Sequence, residues 1–544
     1  MERSGHRDTF TRDHLPPPQE WPDFLLDHPA LAYPVRLNSA AELVDGAIAA
    51  GWGDRPAIRT LSDGQLASIT YRELQERVDR TARVLVEEMG LVPGNRVLLR
   101  GPNNPAMAVA LLATIKAGLV AVPTMPLLRA VELKPILDKA EVAAALCDVR
   151  LRDELETCMR AGPLHSPTLK QVRYFNDDGP DSVESLAARK SGGFPACDTA
   201  ADDVCLIAFT SGTTGSPKGC MHFHRDVLAM CDLFPRSLLQ AGPDDIFCGT
   251  PPLAFTFGLG GMLCFPLRAG ASTVLAEKLT PATLLETIQA ARATVVFTAP
   301  TFYRQMAALA SGYDLSSLRH TVSAGEALPD ATRQSWKAAS GVEMTDGIGS
   351  TEMIHIFISS AGGQVRRGAI GKPVPGYEVR IVDEGMRPLP AGTVGRLAVK
   401  GPTGCKYLAD ERQARAVRQG WNLTGDSFLM DDDGYLYYQA RTDDMIISAG
   451  YNIAGPEVES ALLQHEAVAE CGVVGMADEE RGEVVAAYVV LRPGAQAGDA
   501  MAKTLQDHVK RTIAPYKYPR VIRFVEALPR TETGKLKRFA LRSM

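Results

Sequence analysis

The strongest constraint on the fold is an alternation of helix-like and strand-like segments between residues 71 and 124. "YRELQERVDRTARVLVEEMG" places apolar residues at intervals of three and four and ends at Gly90, the pattern of an amphipathic helix closed by a glycine. "NRVLLRG" then reads as a short strand, "AMAVALLATIKAG" as a second helix with a terminal glycine, and "LVAVPT" as a second strand. A helix between two apolar strands lets them run parallel, so this repeat predicts an α/β architecture. A more polar connection, Gly179 to Asp203, interrupts it. The pattern resumes with strands at "DDVCLIAFT", "STVLAE", "TVVFTAP" and "LRHTVSAG" and a helix at "TPATLLETIQAARA".

At 544 residues the chain exceeds the roughly 250–300 at which single cores stop growing, so more than one domain is expected. The character changes near Asp383–Arg441, where "YEVRIVD" and "GRLAVKG" are separated by "PLPAG", as in an antiparallel β subdomain. Beyond Arg441, "EVESALLQHEAVAECGVVG" reads as helix then strand, "EVVAAYVVL" as a strand and "AKTLQDHVKRTI" as a helix. The expectation is therefore a large N-terminal domain, residues 1–441, of mostly parallel α/β sheets plus a β subdomain. A small α+β C-terminal domain, 442–544, follows it.

Composition is that of a globular protein, 45% hydrophobic and 22% charged, and a net charge of -6 leaves no electrostatic footprint for nucleic acid. The most apolar long stretch, "AMAVALLATIKAGLVAVP", is interrupted by Lys116 and ends at Pro123, so it reads as a buried helix and strand and not as a membrane span. "MERSGHRDTFTRDHLPPP" is too polar for a secretory signal, and a cytoplasmic location is expected. None of the ten cysteines forms a CxxC pair, which argues for scattered, reduced, mostly buried thiols. The pair His222 and His224 lacks a third ligand at a sensible spacing, so a surface or loop role is expected for it before a metal site.

One segment cannot be core. "TSGTTGSPKG", Thr210 to Gly219, follows the apolar "VCLIAF" and holds hydroxyls, flexible glycines and one cation. A Walker A loop requires G-x-x-x-x-G-K-[ST]; counted from Gly212, Pro217 stands where the second glycine belongs, and the pattern fails. By itself the stretch suits either a phosphate-binding loop or a solvent-exposed flexible turn.

Its company decides between them. The stretch resembles the signature loop of the acyl-adenylate-forming superfamily, and further motifs follow in that family's order: "SAGEALP" (Ser323–Pro329), "DGIGSTE" (Asp346–Glu352), "LTGD" (Leu423–Asp426), "RTDDMIISAGYNI" (Arg441–Ile453) and "PRTETGKLKR" (Pro529–Arg538). The resemblance spans Tyr71 to Arg538. It implies ATP, Mg²⁺ and coenzyme A as cofactors, with a carboxylate attacking the α-phosphate as pyrophosphate leaves. Because both reactants are anions, catalysis must supply positive charge.

Residue by residue, the resemblance gives Thr210, Ser211, Thr213, Thr214 and Lys218 to the β- and γ-phosphates, Glu352 to Mg²⁺ and Thr351 to the α-phosphate. Gly325, Glu326 and Ala327 would pass alongside adenine together with Asp346 and Ile348. Ile348 departs from the commoner tyrosine and gives up ring stacking. Asp426 would accept both ribose hydroxyls, reinforced by Arg441. Lys535 would bridge the acyl carboxylate and the α-phosphate, where without the upstream motifs it would read as one more surface lysine in a basic tail. Asp443 matches the hinge about which the small, mobile domain rotates after adenylation, and Gly450 would line the tunnel for the CoA thiol, with Tyr451 a weaker candidate there.

For the acyl pocket, Phe255 in "PPLAFTFGLGG" stands where many members carry histidine, and Ala324, Gly349 and Tyr303 of "TAPTFY" would shape a slot for a flat ring. His355 either hydrogen-bonds a ring substituent or is a core histidine satisfied by backbone. The details most resemble benzoate- and 2-aminobenzoate (anthranilate)-CoA ligases, and the segment "DTFTRDHLPPPQEWPDFLLDHPALAYPVRLNSAAELVD" resembles the 2-aminobenzoate group. The implied partners are a small aromatic carboxylic acid and CoA, in a monomer or homodimer. A carrier-protein-loading enzyme or a luciferase-like monooxygenase would share the first step. A non-catalytic binding protein of this fold is disfavoured by the presence of Lys535, Glu352 and Asp426.

Overall fold

The computed structural model describes residues 2–62, 64–210, 217–441, 444–448, 451–478, 481–513, 515–530 and 535–544. Among these residues the strands form four sheets. The first is six-stranded, in the order Gln171–Phe175, Ala144–Asp148, Arg96–Arg100, Val120–Thr124, Val204–Thr210 and Lys218–Phe223. All its pairings are parallel except the last, a hairpin. Arg96–Arg100, Val120–Thr124 and Ala144–Asp148 are buried at every position, as expected of parallel strands covered on both faces. The buried Arg100 is accommodated because its guanidinium donates to the carbonyls of Met125, Pro126 and Leu128 over 2.7–2.8 Å.

A nine-stranded sheet forms the second layer. Its central run, from Met344–Gly349 through His320–Ser323, Val295–Thr298, Ile246–Gly249 and Ser272–Val274 to Pro56–Ser62, is parallel, and antiparallel strands close both edges. A third, antiparallel sheet runs from Glu378–Val382 to Leu436–Arg441, which is the expected β subdomain. The fourth contains Ile446–Ser448, Val468–Asp478, Gly482–Leu491 and Val521–Phe524. Its Val473 and Val485 pack with Val458 and Leu462 of the helix Gly455–Leu462 and Leu505 of the helix Asp499–Thr512 as a cluster separate from the main core. The chain is thus an α/β protein with a large N-terminal part and a small C-terminal domain. The boundary read from the sequence, 441/442, falls between the third and fourth sheets, and Asp443 lies outside the described residues.

Two readings change. The long helix expected from Tyr71 runs as an α-helix only to Arg83 and continues as a wider turn, Val84–Glu88. Its start follows the sequence signal, since Thr70 and Glu73 form a reciprocal capping box. The second correction concerns His222 and His224, which are fully buried and not at the surface or in a loop. His222 lies in the strand that follows the glycine-rich stretch, and His224 Nδ1 accepts from the Ser39 amide over 3.0 Å. They do not share one strand face, because the strand ends at Phe223 and a helix begins at His224.

All ten cysteines are free thiols, eight buried and two half-buried. Among the described residues, no group of three or more side chains could hold a metal ion as a ready-made cluster, and no helix is long and apolar enough to cross a membrane.

Candidate active site

The glycine-rich stretch leaves the six-stranded sheet at one cross-strand pair, Thr210 opposite Lys218. Ser211, Thr213 and Thr214 lie outside the described residues, but the two ends of the stretch are informative. Thr210 Oγ1 is buried with no hydrogen-bond partner, a costly condition that a ligand oxygen would relieve. Lys218 Nζ donates to Tyr407 Oη over 2.9 Å and lies 3.6 Å from Glu352 Oε1. Tyr407 Oη in turn donates to Glu352 Oε1 over 2.5 Å. Burial by itself would raise the Glu352 pKa, but Lys218 and the Tyr407 hydroxyl more than offset it, so the carboxyl titrates below its ordinary range and stays ionised. Sequence reasoning misses Tyr407. "GCKYL" belongs to no motif, and only the packing of residues 406–408 along the strand Lys218–Phe223 brings it to Glu352.

The nine-stranded sheet supplies the next group. Parallel pairing of Ser323 with Asp346 aligns "SAGEALP" with "DGIGSTE". Asp346 is buried, and that burial pushes its pKa up to about 7 against the opposing charge of Arg333. Ile348 is half-buried against the main core, whereas Gly349, Gly325 and Ala327 are exposed. Gly325 has φ +91°, a conformation that favours glycine, and a Cβ there would lie 3.9 Å from Lys535 Cε. Thr351 is half-buried beside Glu352.

Asp426 and Arg441 face each other across two antiparallel strands, with Arg441 Nη1 donating to Asp426 Oδ1 over 3.1 Å. Burial raises the Asp426 pKa, and Arg441 opposes that rise. Lys535 closes the group. It retains solvent exposure, yet crowding by protein lowers its pKa, while the charges of Glu326, Asp426 and Glu352 act the other way. Residues from positions 326, 352, 426, 441 and 535 therefore converge on one volume. Two partly exposed ion pairs cross between the large and small parts: Arg530 with Glu326 at 3.4 Å, and Arg304 with Glu470 at 3.7 Å. Glu326 is further held by Thr301 Oγ1 over 2.8 Å. Gly450 lies outside the described residues.

An aromatic cage adjoins this volume in sequence, three residues past Glu352. His355 is 3% exposed and surrounded by the rings of Phe234, Phe257, Phe265 and Phe297, with centroids 4.5–6.4 Å away. Burial pushes its pKa down to about 3, so the imidazole is neutral. Nε2 meets the Phe257 carbonyl at 3.4 Å, and Nδ1 is buried without a partner. A Cβ on Gly260 would come within 2.4 Å of the imidazole, so glycine there makes room for the ring. Phe255 is half-buried before the helical turn Thr256–Leu259, and Ala324 packs in the same core as Phe297.

Tyr303 is a correction. It is fully buried in a different cluster, with Val296 and Trp336, on the sheet face opposite Phe297. Its hydroxyl is spent on the carbonyls of Val296 and Val322, so it supports the strands and does not face the cage. Its position in the chain puts it near the pocket segment; the helix Pro300–Leu309 that carries it packs on the Val296 face of the sheet, behind Phe297.

Residues 47–407 match the model of the AMP-binding enzyme family, and residues 457–535 match that of the AMP-binding enzyme C-terminal domain. The chain belongs to the AMP-binding enzyme family. It is 38% identical over 521 residues to a benzoate–CoA ligase of Thauera aromatica, covering 95% of this chain and 97% of that one. Among solved structures it resembles the anthranilate CoA ligase AuaEII in complex with anthranoyl-AMP, with a TM-score of 0.88, 33% identity, and coverage of 95% of this chain and 98% of the other. It also resembles a benzoate CoA ligase from Burkholderia xenovorans LB400, with a TM-score of 0.83, 32% identity, and coverage of 93% and 100%.

For an AMP-binding enzyme, the residues present suit the nucleotide. An unpartnered buried hydroxyl at Thr210, a cation at Lys218 and an ionised carboxylate at Glu352 stand at the two ends of the glycine-rich stretch and on the facing segment.

Proposed function

We propose that this AMP-forming acid–thiol ligase activates 2-aminobenzoate as its acyl adenylate and transfers the acyl group to CoA. The observation that carries the choice of acid is the neutral His355 in its aromatic cage, with Nδ1 buried and unpartnered. An ortho-amino N–H would satisfy that acceptor, and a plain benzoate ring would not. Benzoate is the second reading, favoured by the 38% identity to the Thauera aromatica benzoate–CoA ligase.

In this reading Thr210, Ser211, Thr213, Thr214 and Lys218 hold the β- and γ-phosphates. Asp426 and Arg441 bind the ribose, and Gly325, Glu326, Ala327, Asp346 and Ile348 flank the adenine. Glu352 would hold Mg²⁺, which when bound neutralises phosphate charge. Thr351 donates its hydroxyl near the α-phosphate. Lys535 holds the acyl carboxylate against that phosphorus and stabilises the charge that develops there. Residues 442–544 then turn about Asp443, which withdraws Lys535 and brings Gly450 to the thiol path. Asp443→Pro, by fixing φ, should slow overall turnover several-fold or more; unchanged kinetics in both half-reactions would remove the hinge from the mechanism.

A substrate panel with free CoA, following AMP and thioester release, tests the whole reading. Thioester formation without any carrier protein supports ligation to CoA. Preference for benzoate would replace the first acid by the second. Replacing His355 by leucine should reduce the preference for 2-aminobenzoate over benzoate about 5- to 10-fold, the scale of one hydrogen bond. Equal loss on both acids would show that the imidazole does not read the amino group.

A further inference from the structure

Tyr407 is 3% exposed, and its hydroxyl both accepts and donates: Lys218 Nζ donates to it over 2.9 Å, and it donates to Glu352 Oε1 over 2.5 Å. The ammonium and that carboxylate oxygen form an ion pair at 3.6 Å, beyond ordinary hydrogen-bond length, so the phenol stands hydrogen-bonded between two opposite charges that do not hydrogen-bond each other. The Lys218 ammonium also lies 4.9 Å from the centre of the Tyr407 ring.

The ring is held in place from its backbone. Met221 N donates to Lys406 O, and Leu408 N to Gly219 O, each over 2.8 Å, which lays residues 406–408 along the strand that leaves the glycine-rich stretch. Tyr407 N donates to Gln413 Oε1 over 2.9 Å. The preceding side chain, Lys406, is anchored on buried Asp226. This pairing fixes the Tyr407 backbone and so the direction in which its side chain leaves the strand.

We propose that Tyr407 is a positioning residue for the phosphate and metal end of the site, an inference that rests on the adenylating reading above. By donating to Oε1 it sets the orientation of the Glu352 carboxylate and so of its second oxygen. By accepting from Lys218 it keeps the ammonium at the end of the glycine-rich stretch without a direct hydrogen bond to Glu352. When phosphates and a divalent cation enter, Lys218 and Glu352 attract each other across 3.6 Å but share no hydrogen bond, so no direct hydrogen bond between them has to be broken first. Without the hydroxyl, the two charges close on each other and compete with the incoming ligand.

The test is equilibrium binding of ATP by calorimetry, with no acid present, in excess MgCl₂ and again in EDTA. The wild type should bind ATP more tightly with Mg²⁺ than without. Tyr407→Phe, which keeps the ring and its packing, should weaken binding in MgCl₂ about 10-fold and in EDTA less than about 3-fold, the scale of one hydrogen bond to a charged group. In a Glu352→Gln background, adding Tyr407→Phe should cost little more, because both changes act through the same carboxylate. Unchanged MgCl₂ binding in Tyr407→Phe, or full additivity in the double variant, overturns the assignment. Failure of the wild type to bind ATP at all would instead overturn the adenylating reading.

Discussion

Replacing Lys535 by alanine should slow acyl-adenylate formation by roughly 10²-fold or more, the scale for removing one transition-state donor. The same variant should still form thioester from supplied acyl adenylate and CoA at close to the wild-type rate. The asymmetry follows from where the lysine lies. Its side chain passes over Gly325 and feels Glu326, Asp426 and Glu352, an orientation suited to the first half-reaction. In the second, the proposed rotation carries it away. Measuring pyrophosphate release and thioester formation separately checks this, and equal loss of both would sink the two-orientation mechanism.

The second large effect is on stability. Lys406 and Asp226 are both fully buried and form a 2.9 Å ion pair, with the Lys406 ammonium also donating to the Gly404 carbonyl. Lys406→Met would leave the Asp226 charge buried and uncompensated, and should destabilise the fold by about 3–5 kcal/mol in denaturant unfolding. Replacing both residues, Lys406→Met with Asp226→Leu, should recover most of that loss, because no orphaned charge remains. If the double variant were as unstable as the single one, the cost would lie in packing against Phe24 and Phe223, whose rings Lys406 covers at 5.0 and 4.4 Å.

The pair also predicts a pH dependence. Burial raises the Asp226 pKa, but Lys406, together with His222 and Arg225, lowers it further, and the net shift is below the ordinary 3.8. A carboxylate whose folded-state pKa is depressed stabilises the fold fully above the unfolded value and loses that stabilisation as pH falls through the folded one. The wild type should therefore keep this contribution down to strong acid. Lys406→Met, whose buried Asp226 has lost its main cation and is pushed up by burial, should recover part of its deficit by taking up a proton as pH falls through that raised value.

Much of this site is legible in the linear order of residues. Asp426, Arg441, Glu352 and Lys535 stand in motifs whose residue types answer a chemical need, and the fold gathers them. Tyr407 and the Lys406–Asp226 pair are not legible in that way. Nothing local marks a tyrosine or lysine in "GCKYL", and their meaning depends on strand pairing with residues 219–221. Tyr303 fails in the opposite way: proximity in the chain to the pocket segment says nothing about which face of the sheet it occupies. His222 and His224 fail because polar side chains are ordinarily exposed, whereas here His222 is buried 3.8 Å from the Asp226 carboxylate and the Ser39 amide donates to His224.

By itself the sequence determined the parallel α/β architecture, the antiparallel subdomain and the order of the motifs, because hydrophobic period and glycine placement are local properties of the chain. Only the tertiary structure decided that the glycine-rich stretch ends against a tyrosine almost two hundred residues away. It also decided that His355 sits neutral among four phenylalanines. Hydrogen bonding and desolvation depend on what surrounds a group in space, and the chain's linear order does not carry that information.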